Sequence, residues 1–523
     1  MATIDVETIL KRHKRAEDRK EDWRDIYTQA YEYCLPMRNL YDYYETRRPG
    51  KQKLQNVYDS TAVSATQSFA NRMQSSLFPP YRNWCRLEAG TRVPPESKSQ
   101  VQAGLDFYSE EMFSVMRQSN FDLALGEFLL DLSVGTAVML VQPGTASEPI
   151  RYTPVPAFLV SLEEGPHGTV ENVYRKIRMR PELIERQYPA AKLNQELERL
   201  KTEKPDDEVA LLEATVYDDD RGEYCHHVIH PETKHLLLKS YHATSPWIVA
   251  RYSKVAGEVY GRGPVLWALP DVKTLNKTKE FLLKNASLSI APIFTAADDG
   301  VLNPETINIQ PGAIIPVARN GGPQGPSLTP LQRGGDVQLT QLVMTDLQMA
   351  IKKILLDDSL PRDDMSARTA LEISERMRDM AQNLGAAFGR LITEMMVPLV
   401  RRTLAVMDEI GLIDLPLRVN GLEIKVVPIS PLAQAQNMEE INTVVQFVQL
   451  AQGMGPEGQL AYRADAVIDY IADKLGVPSS LRTTPEERAQ MQAAVMQAAG
   501  EAAGVTVPPA SAASSPQPQP QAA

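Results

Sequence analysis

Four aspartates and an arginine lie close together in the segment DDSLPRDD, residues 357–364. Carboxylate oxygens at this density can bind Mg²⁺ and support the hydrolysis of a phosphate ester. Such sites usually draw their carboxylates from separate rigid elements, whereas here all of them lie on one loop. We therefore expect that the chain has no catalytic residue, no metal and no cofactor. The alternative is a metal-dependent phosphoesterase that uses these carboxylates. The residues concerned are Asp357, Asp358, Arg362, Asp363 and Asp364.

A second group of metal-ligand residue types occurs in CHHVIH, residues 225–230. Alternate side chains of a strand point to opposite faces, so Cys225 and His227 would lie on one side. His226 and His230 would lie on the other side. A tetrahedral zinc site would need a sharp bend and a distant fourth ligand. The pattern favours an ordinary strand that carries histidines.

Glycine-rich segments do not predict a nucleotide site. GMGPEG (453–458) matches Gly-x-Gly-x-x-Gly, but it follows a predicted helix and contains a proline where a helix should begin. YGRGP (260–264) is a turn with two glycines. The chain contains no Gly-x4-Gly-Lys-Ser/Thr segment, so it has no phosphate-binding loop of that kind.

The composition argues against a basic nucleic-acid clamp. The 523 residues carry a net charge of −11, with a pI near 5.4, so the average surface field repels DNA. Three widely separated cysteines are typical of a reducing compartment. We expect no signal peptide and no membrane span, because no apolar run approaches about 18 residues. The length suggests about three domains.

Helical segments surround a β-rich region. We predict helices over 4–34 and 60–76, then a buried helix that breaks at Gly135 before a short strand. Between about 150 and 255 the apolar pattern has a period of two, which predicts strands. The fold class is therefore α+β and mostly helical.

A helical hairpin is predicted next. Its first helix runs from Pro270 to Ser287 and its second over 337–356. The Pro- and Gly-rich insert between them contains the strand-like segments TINI and GAIIPV. The first helix carries a charged stripe formed by Lys273, Lys277, Glu280 and Lys284.

The acidic loop leads into a long helix. Thr369 and Glu372 form a capping box, in which each side chain bonds a backbone N–H at the helix start. The helix is predicted to stop at Gly411, which gives it a length of roughly 60 Å. Pro398 lies inside it and should kink it, because proline removes one hydrogen bond and crowds the preceding turn. A strand, three further helices and a tail (501–523) that we expect to be disordered complete the chain.

Six segments occur in a characteristic order along the chain. They are LFPPYRNWCRL (77–87), FDLALGEFLLDLSVGTAVML (121–140), GEVYGRGP (257–264), SARTALEISERM (366–377), MVPLVRRTL (396–404) and VIDYIADKLGVPSSL (467–481). Their order around a helix, insert, helix, loop and long helix resembles that of the head-to-tail connector (portal) proteins of short-tailed bacteriophages. The resemblance spans nearly the whole chain, except the tail.

The resemblance implies a portal-type fold that assembles into a ring, usually of about twelve copies, around a central channel. The implied regions are a wing (1–265), stem helices (266–288 and 336–356), a clip (289–335), a tunnel loop (357–366), a long kinked wing helix (367–411), a wing strand (412–430) and crown helices (431–500).

The function implied by the resemblance is structural. Genomic DNA would be packaged and ejected through the channel of a tailed-phage capsid. The implied partners are further copies of the chain, a terminase ATPase, tail adaptor and tail tube proteins, major capsid and scaffolding proteins, and double-stranded DNA. The implied location is the portal vertex at the head–tail junction of the virion, after synthesis in the host bacterial cytoplasm. Another virion assembly protein, such as a tail adaptor, is a second alternative, although adaptors are usually shorter and lack the hairpin.

An acidic surface suits a passage for DNA, because tight binding would hold the duplex. Ring symmetry repeats each loop aspartate into about twelve carboxylates, which repel phosphates and keep the duplex centred. We predict that Asp357, Asp358, Asp363 and Asp364 line or border the narrowest part, although a solvated turn fits the composition equally well. Lysines of the charged stripe, Lys273, Lys277 and Lys284, either contact DNA phosphates weakly or pair with acidic groups of the next subunit. The sequence leaves both roles open.

Overall fold

The computed structural model describes residues 5–38, 56–94, 97–290, 337–357, 387–414, 423–455 and 461–475, with two further short strands and a few single positions. Its helices are α1 (Val6–Cys34), α2 (Thr61–Leu77), α3 (Lys98–Gln118), α4 (Phe121–Val134), α5 (Pro181–Gln187), α6 (Gln195–Glu203), α7 (Pro264–Ile290), α8 (Val337–Ile354), α9 (Val397–Glu409), α10 (Pro431–Gly453) and α11 (Ala464–Leu475). Its strands are β1 (Cys85–Ala89), β2 (Thr136–Pro143), β3 (Ile150–Val155), β4 (Val160–Glu164), β5 (Val170–Met179), β6 (Val209–Asp218), β7 (Glu223–His230), β8 (His235–His242), β9 (Trp247–Arg251), β10 (Phe294–Ala296), β11 (Leu328–Pro330) and β12 (Ile424–Pro428). The α+β class predicted from the sequence is confirmed.

Strands β2 to β9 form two antiparallel sheets. One has the strand order β3-β2-β9 and the other has the order β4-β5-β6-β7-β8. The predicted β-rich region is confirmed, although the short helices α5 and α6 interrupt it. The predicted break at Gly135 is also confirmed, because α4 ends at Val134 and β2 begins at Thr136.

Strand β2 separates two hydrophobic cores. Its residues Ala137, Met139 and Val141 pack into a core that also contains α4. Val138 and Leu140, on the opposite face, pack with residues of α1, α7 and α8. Burial of both faces explains why β2 is a continuous apolar run rather than an alternating one.

The predicted hairpin is present, but its first helix begins earlier than we predicted. α7 starts at Pro264, and Pro270 lies inside it. Proline is favoured at the first helical position because the N–H that it lacks would be unbonded there. Burial of Val265 and Ala268 stabilises the turn that precedes Pro270. α8 packs beside α7. In the insert that joins the two helices in sequence, β10 pairs with β11. The segments TINI and GAIIPV lie outside the described residues.

The C-terminal part returns to the N-terminal half. The helix stop at Gly411 is confirmed, with a φ of +73° at that glycine. β12 pairs with β1, and two of the three further helices, which we predict over 434–452 and 463–475, correspond to α10 and α11. Most of the third predicted helix, 485–500, and all of the tail lie outside the described residues. Within the described ranges, no helix is both long and apolar enough to cross a bilayer.

Candidate functional site

The base of the helical hairpin is bound to the segment that precedes α2. Asn276 of α7 accepts hydrogen bonds from the backbone N–H groups of Tyr58 and Asp59, at 2.7 and 3.2 Å. Its Nδ2 donates to the carbonyl of Asn56 at 2.7 Å. On α8, Gln348 Nε2 donates to Asp59 Oδ2 at 3.0 Å. Both hairpin helices are therefore held at one level by the same short segment.

The point where the acidic loop leaves α8 is held by Arg72 of α2. Its Nη1 donates to the carbonyl of Leu356 at 2.5 Å, and its Nη2 lies 2.7 Å from Asp357 Oδ1. Leu356 has a φ of +58°, and the Asp357 N–H bonds the carbonyl of Lys352 at 2.7 Å. Arg72 thus satisfies a carbonyl at the end of α8 and supplies a cation where the helix dipole favours one.

Only one of the predicted loop residues falls within the described structure. Asp357 is in the ion pair with Arg72, so its carboxylate contributes to an anchor. The other loop residues and the capping box lie outside the described residues, namely Asp358, Arg362, Asp363, Asp364, Thr369 and Glu372. Their positions relative to a channel remain predictions.

The role of Arg72 was not predicted from the sequence, although a signal is present. It is the only charged residue in α2, whose sequence is TAVSATQSFANRMQSSL. A lone cation in a helix of small, apolar and uncharged polar residues indicates a specific partner, because an unpaired charge is costly to bury.

We expect Arg72→Gln to loosen the end of α8 locally. The change removes a charge-assisted hydrogen bond to Leu356 and leaves Asp357 without its cation, which should cost about 1–2 kcal/mol. Hydrogen exchange measured by mass spectrometry should be about tenfold faster in peptides covering 352–357, with α2 itself unchanged. Arg92→Gln, at an exposed loop position, is the control. Equal exchange in both variants would show that Arg72 anchors nothing.

The charged stripe of α7 is described completely. Lys277 Nζ and Lys284 Nζ lie 2.8 and 2.5 Å from the carboxylate of Glu280, and Lys273 Nζ donates to Gln29 at 3.0 Å. Hydrogen bonds from the two lysines lower the pKa of Glu280, and the bond to Glu280 raises the pKa of Lys284. The stripe therefore keeps an excess of positive charge on an exposed helix face.

A π-helical turn, Ile392–Met396, ends two residues before Pro398. The N–H of Val397 bonds the carbonyl of Ile392, five residues earlier, and Pro398 has no N–H with which to resume the α pattern. The hydrogen-bond pattern thus changes just before the residue at which we predicted a kink, while the bend itself remains a prediction. The turn carries Glu394, which contacts β9.

Arg251 of β9 is almost completely buried and is surrounded by hydrogen-bond acceptors. Its Nε and Nη2 bond Glu394 at 3.1 and 2.7 Å, and its backbone N–H bonds the same carboxylate at 3.1 Å. Nη1 bonds Glu164, and Nη2 also bonds the carbonyl of Gly168 at 2.9 Å. Burial alone would lower the pKa of Arg251, but the bonds to the two carboxylates raise it. This ionic cluster joins β9, the π turn and the β4–β5 hairpin.

Two of the segments behind the family resemblance meet at glycines. Gly135, from FDLALGEFLLDLSVGTAVML, and Gly263, from GEVYGRGP, lie where two stretches of backbone cross in close contact. The Gly263 N–H bonds the carbonyl of Val134 at 2.8 Å. A Cβ at Gly263 would lie 2.1 Å from the Ser133 oxygen, and a Cβ at Gly135 would lie 2.1 Å from the oxygen of Gly261. The turn predicted at YGRGP is therefore also a backbone crossing that only glycine permits.

The histidines of CHHVIH lie in β7 and contact neighbouring protein atoms. His226 Nδ1 is 3.0 Å from the hydroxyl of Thr215, and His227 Nε2 is 3.4 Å from Cys225 Sγ. His230 Nδ1 is 2.7 Å from a threonine hydroxyl. Burial lowers the pKa of His227 to about 4, so its imidazole is neutral at pH 7. In the described part of the chain, no three His, Cys, Asp or Glu side chains are grouped so that they could hold a metal ion.

Comparisons with known proteins match nearly the whole chain to one family. Residues 6–482 match the model of a family described as bacteriophage head to tail connecting protein. The probable portal protein of Bordetella phage BPP-1 is 24% identical over 525 residues, covering 94% of this chain and 92% of that protein. The portal protein of Escherichia phage T7 is 22% identical over 360 residues, covering 66% of this chain and 65% of that protein. A chain in the virion of a native gene transfer agent particle covers 84% of this chain and 92% of its own length, with 11% identity and a TM-score of 0.32.

The names of the family and of these relatives describe structural proteins rather than enzymes. They confirm the structural function that the resemblance implied, in place of a metal-dependent phosphoesterase. The match covers the hairpin, the ionic cluster and the glycine crossing together. The chain belongs to the family of bacteriophage head to tail connecting proteins.

Proposed function

We propose that this chain is the subunit of a portal ring at the head–tail junction of a virion. About twelve copies surround a channel through which double-stranded DNA enters during packaging and leaves during ejection. A terminase ATPase docks on the ring first, and tail adaptor and tail tube proteins replace it. Major capsid and scaffolding proteins contact the ring from the head side, and the chain is made in the host cytoplasm.

The exposed apolar surface of the hairpin supports assembly into a ring. α8 packs on α7 through Met344 and Ile351, but its other side exposes large apolar residues. Leu342 is 61% exposed and Met349 is 58% exposed, while Phe281 on α7 is 56% exposed. Large exposed apolar patches mark association sites. In a closed ring each copy contacts its two neighbours through two different faces, so both the α7 face and the α8 face can be covered.

The resemblance and the element bounds support an assignment of regions to the subunit. We assign the wing to 1–265 and 367–430, the stem to 266–288 with 336–356, and the clip to 289–335. The crown begins near 431, at α10. Asn276 and Arg72, which hold the base of the hairpin, then lie where the stem meets the wing.

The acidic loop supplies the electrostatic part of the mechanism. Asp358, Asp363 and Asp364 repel the phosphates of the duplex and keep it centred in the channel. Asp357 borders this loop and anchors it through Arg72. Arg362 lies between the two acidic pairs and lowers the net charge of the loop.

We expect rings that carry Asp358→Asn, Asp363→Asn and Asp364→Asn to bind duplex DNA more tightly than unmodified rings. Loss of three negative charges in each copy removes repulsion from the channel, so affinity at low salt should rise about tenfold or more. Fluorescence anisotropy of a labelled short duplex, titrated with rings at several salt concentrations, measures the effect.

The control removes the same charge elsewhere, with Asp206→Asn, Asp207→Asn and Glu208→Gln in the exposed loop before β6. We expect this variant to bind DNA like the unmodified ring. Equal affinities for the loop variant and the control would contradict a channel position for the acidic loop.

A further inference from the structure

The exposed face of α8 carries a single acidic residue within an apolar stripe. Leu339, Leu342, Val343 and Met349 share this face at spacings of three, four and six residues. Asp346 lies at the centre of the stripe and is exposed. It forms no ion pair with any other described residue.

The exposed face of α7 has the opposite charge. Beside its stripe of three lysines and one glutamate lies a groove of about 630 Å³, lined in part by Tyr58, Lys277 and Phe281. Lys277 Nζ is 5.0 Å from the centroid of the Phe281 ring, so the face combines a cation with apolar surface. An apolar stripe with one carboxylate complements such a face.

The two faces also lie at matching levels along the hairpin. Asn276 and Gln348 lie at similar levels, because both bond Asp59. The helices are antiparallel, so moving two residues away from the hairpin base leads from Gln348 to Asp346 and from Asn276 to Thr278. Asp346 and Lys277 therefore lie at similar levels, within about one helical turn of 5.4 Å. A rotation about an axis parallel to the hairpin preserves this level in the next copy.

Building on the proposed ring, we propose that the α8 stripe of one copy docks on the α7 groove of the next. Asp346 pairs with Lys277 of the neighbour, and Leu342 and Met349 pack near Phe281 and Tyr58. This contact is heterologous, so it propagates until the ring closes. The lysines of the charged stripe then belong to the subunit interface rather than to the DNA-contacting surface.

Charge reversal and charge exchange test this contact. Asp346→Lys and Lys277→Asp should each lower the fraction of ring in mass photometry at least tenfold at low salt, because each places like charges together at every interface. The double variant restores opposite charges and should recover most of the ring. Glu110→Lys, at an exposed position on α3, changes the charge equally and should assemble normally.

Covalent trapping provides an independent measurement. A variant with Asp346→Cys and Lys277→Cys should give a ladder of crosslinked multimers with a short bis-maleimide, because the reagent joins the two new thiols across the interface. The natural cysteines Cys34, Cys85 and Cys225 are buried and should not react. This interface would be overturned if the unmodified protein formed rings, both single charge reversals assembled normally and the cysteine variant gave no ladder. The proposed ring would then remain intact. Unmodified protein that forms no rings would overturn the ring itself.

Discussion

Arg251→Met is expected to lower the free energy of unfolding by about 3 kcal/mol, because two largely buried carboxylates lose the buried guanidinium that bonds both of them. Among the described residues, Glu394 loses its bonds to the guanidinium and keeps only the cation of Arg390, at 3.7 Å, while Glu164 keeps only that of Lys254, at 2.6 Å. Methionine fills much of the same volume, so the loss reports the ionic cluster more than a cavity. Urea denaturation followed by circular dichroism measures the change.

The matched control for this prediction is Arg199→Met. Arg199 also pairs with a glutamate, Glu203, at 2.9 Å, but both side chains are exposed on α6. An exposed pair of this kind contributes about 0.3–0.5 kcal/mol. Similar losses in the two variants would show that the Arg251 cluster does not stabilise the fold more than an ordinary surface ion pair.

Gly263→Ala is expected to prevent folding or to lower the free energy of unfolding by about 3 kcal/mol or more. The new Cβ would lie 2.1 Å from the backbone oxygen of Ser133, and rigid backbone on both sides of the crossing limits relaxation. Yield of soluble protein and the urea midpoint measure the effect.

Gly104→Ala provides the opposite expectation. Gly104 lies in α3, and a Cβ there would meet no atom within 4 Å. Alanine should therefore raise the free energy of unfolding by about 0.5–1 kcal/mol, because glycine loses more backbone entropy than alanine when a helix forms.

If Gly263→Ala were as stable as the unmodified chain, the close crossing at the base of α7 would be refuted.

Local patterns in the sequence were sufficient to predict most elements near the site. The break at Gly135 and the stop at Gly411 follow from the properties of glycine, and the apolar run of β2 follows from burial on both faces. The predicted start of α7 was wrong, because both Pro264 and Pro270 suit the first turn of a helix. Only tertiary packing around Val265 selects the earlier proline.

Long-range partners could not be predicted in this way. Arg251 and Glu394 are 143 residues apart, and Arg72 reaches the carbonyl of Leu356 across 284 residues. No periodicity relates such positions, because their contact depends on how separate elements pack. Composition does indicate candidates, such as the lone cation of α2, but it does not identify the partner.

The most direct test of the proposed ring is negative-stain electron microscopy of the purified protein, combined with mass photometry of the same sample. We expect rings with a central hole and a mass about twelve times that of the 58.1 kDa chain. A compact monomer at every concentration measured would contradict the proposal that this chain forms a channel.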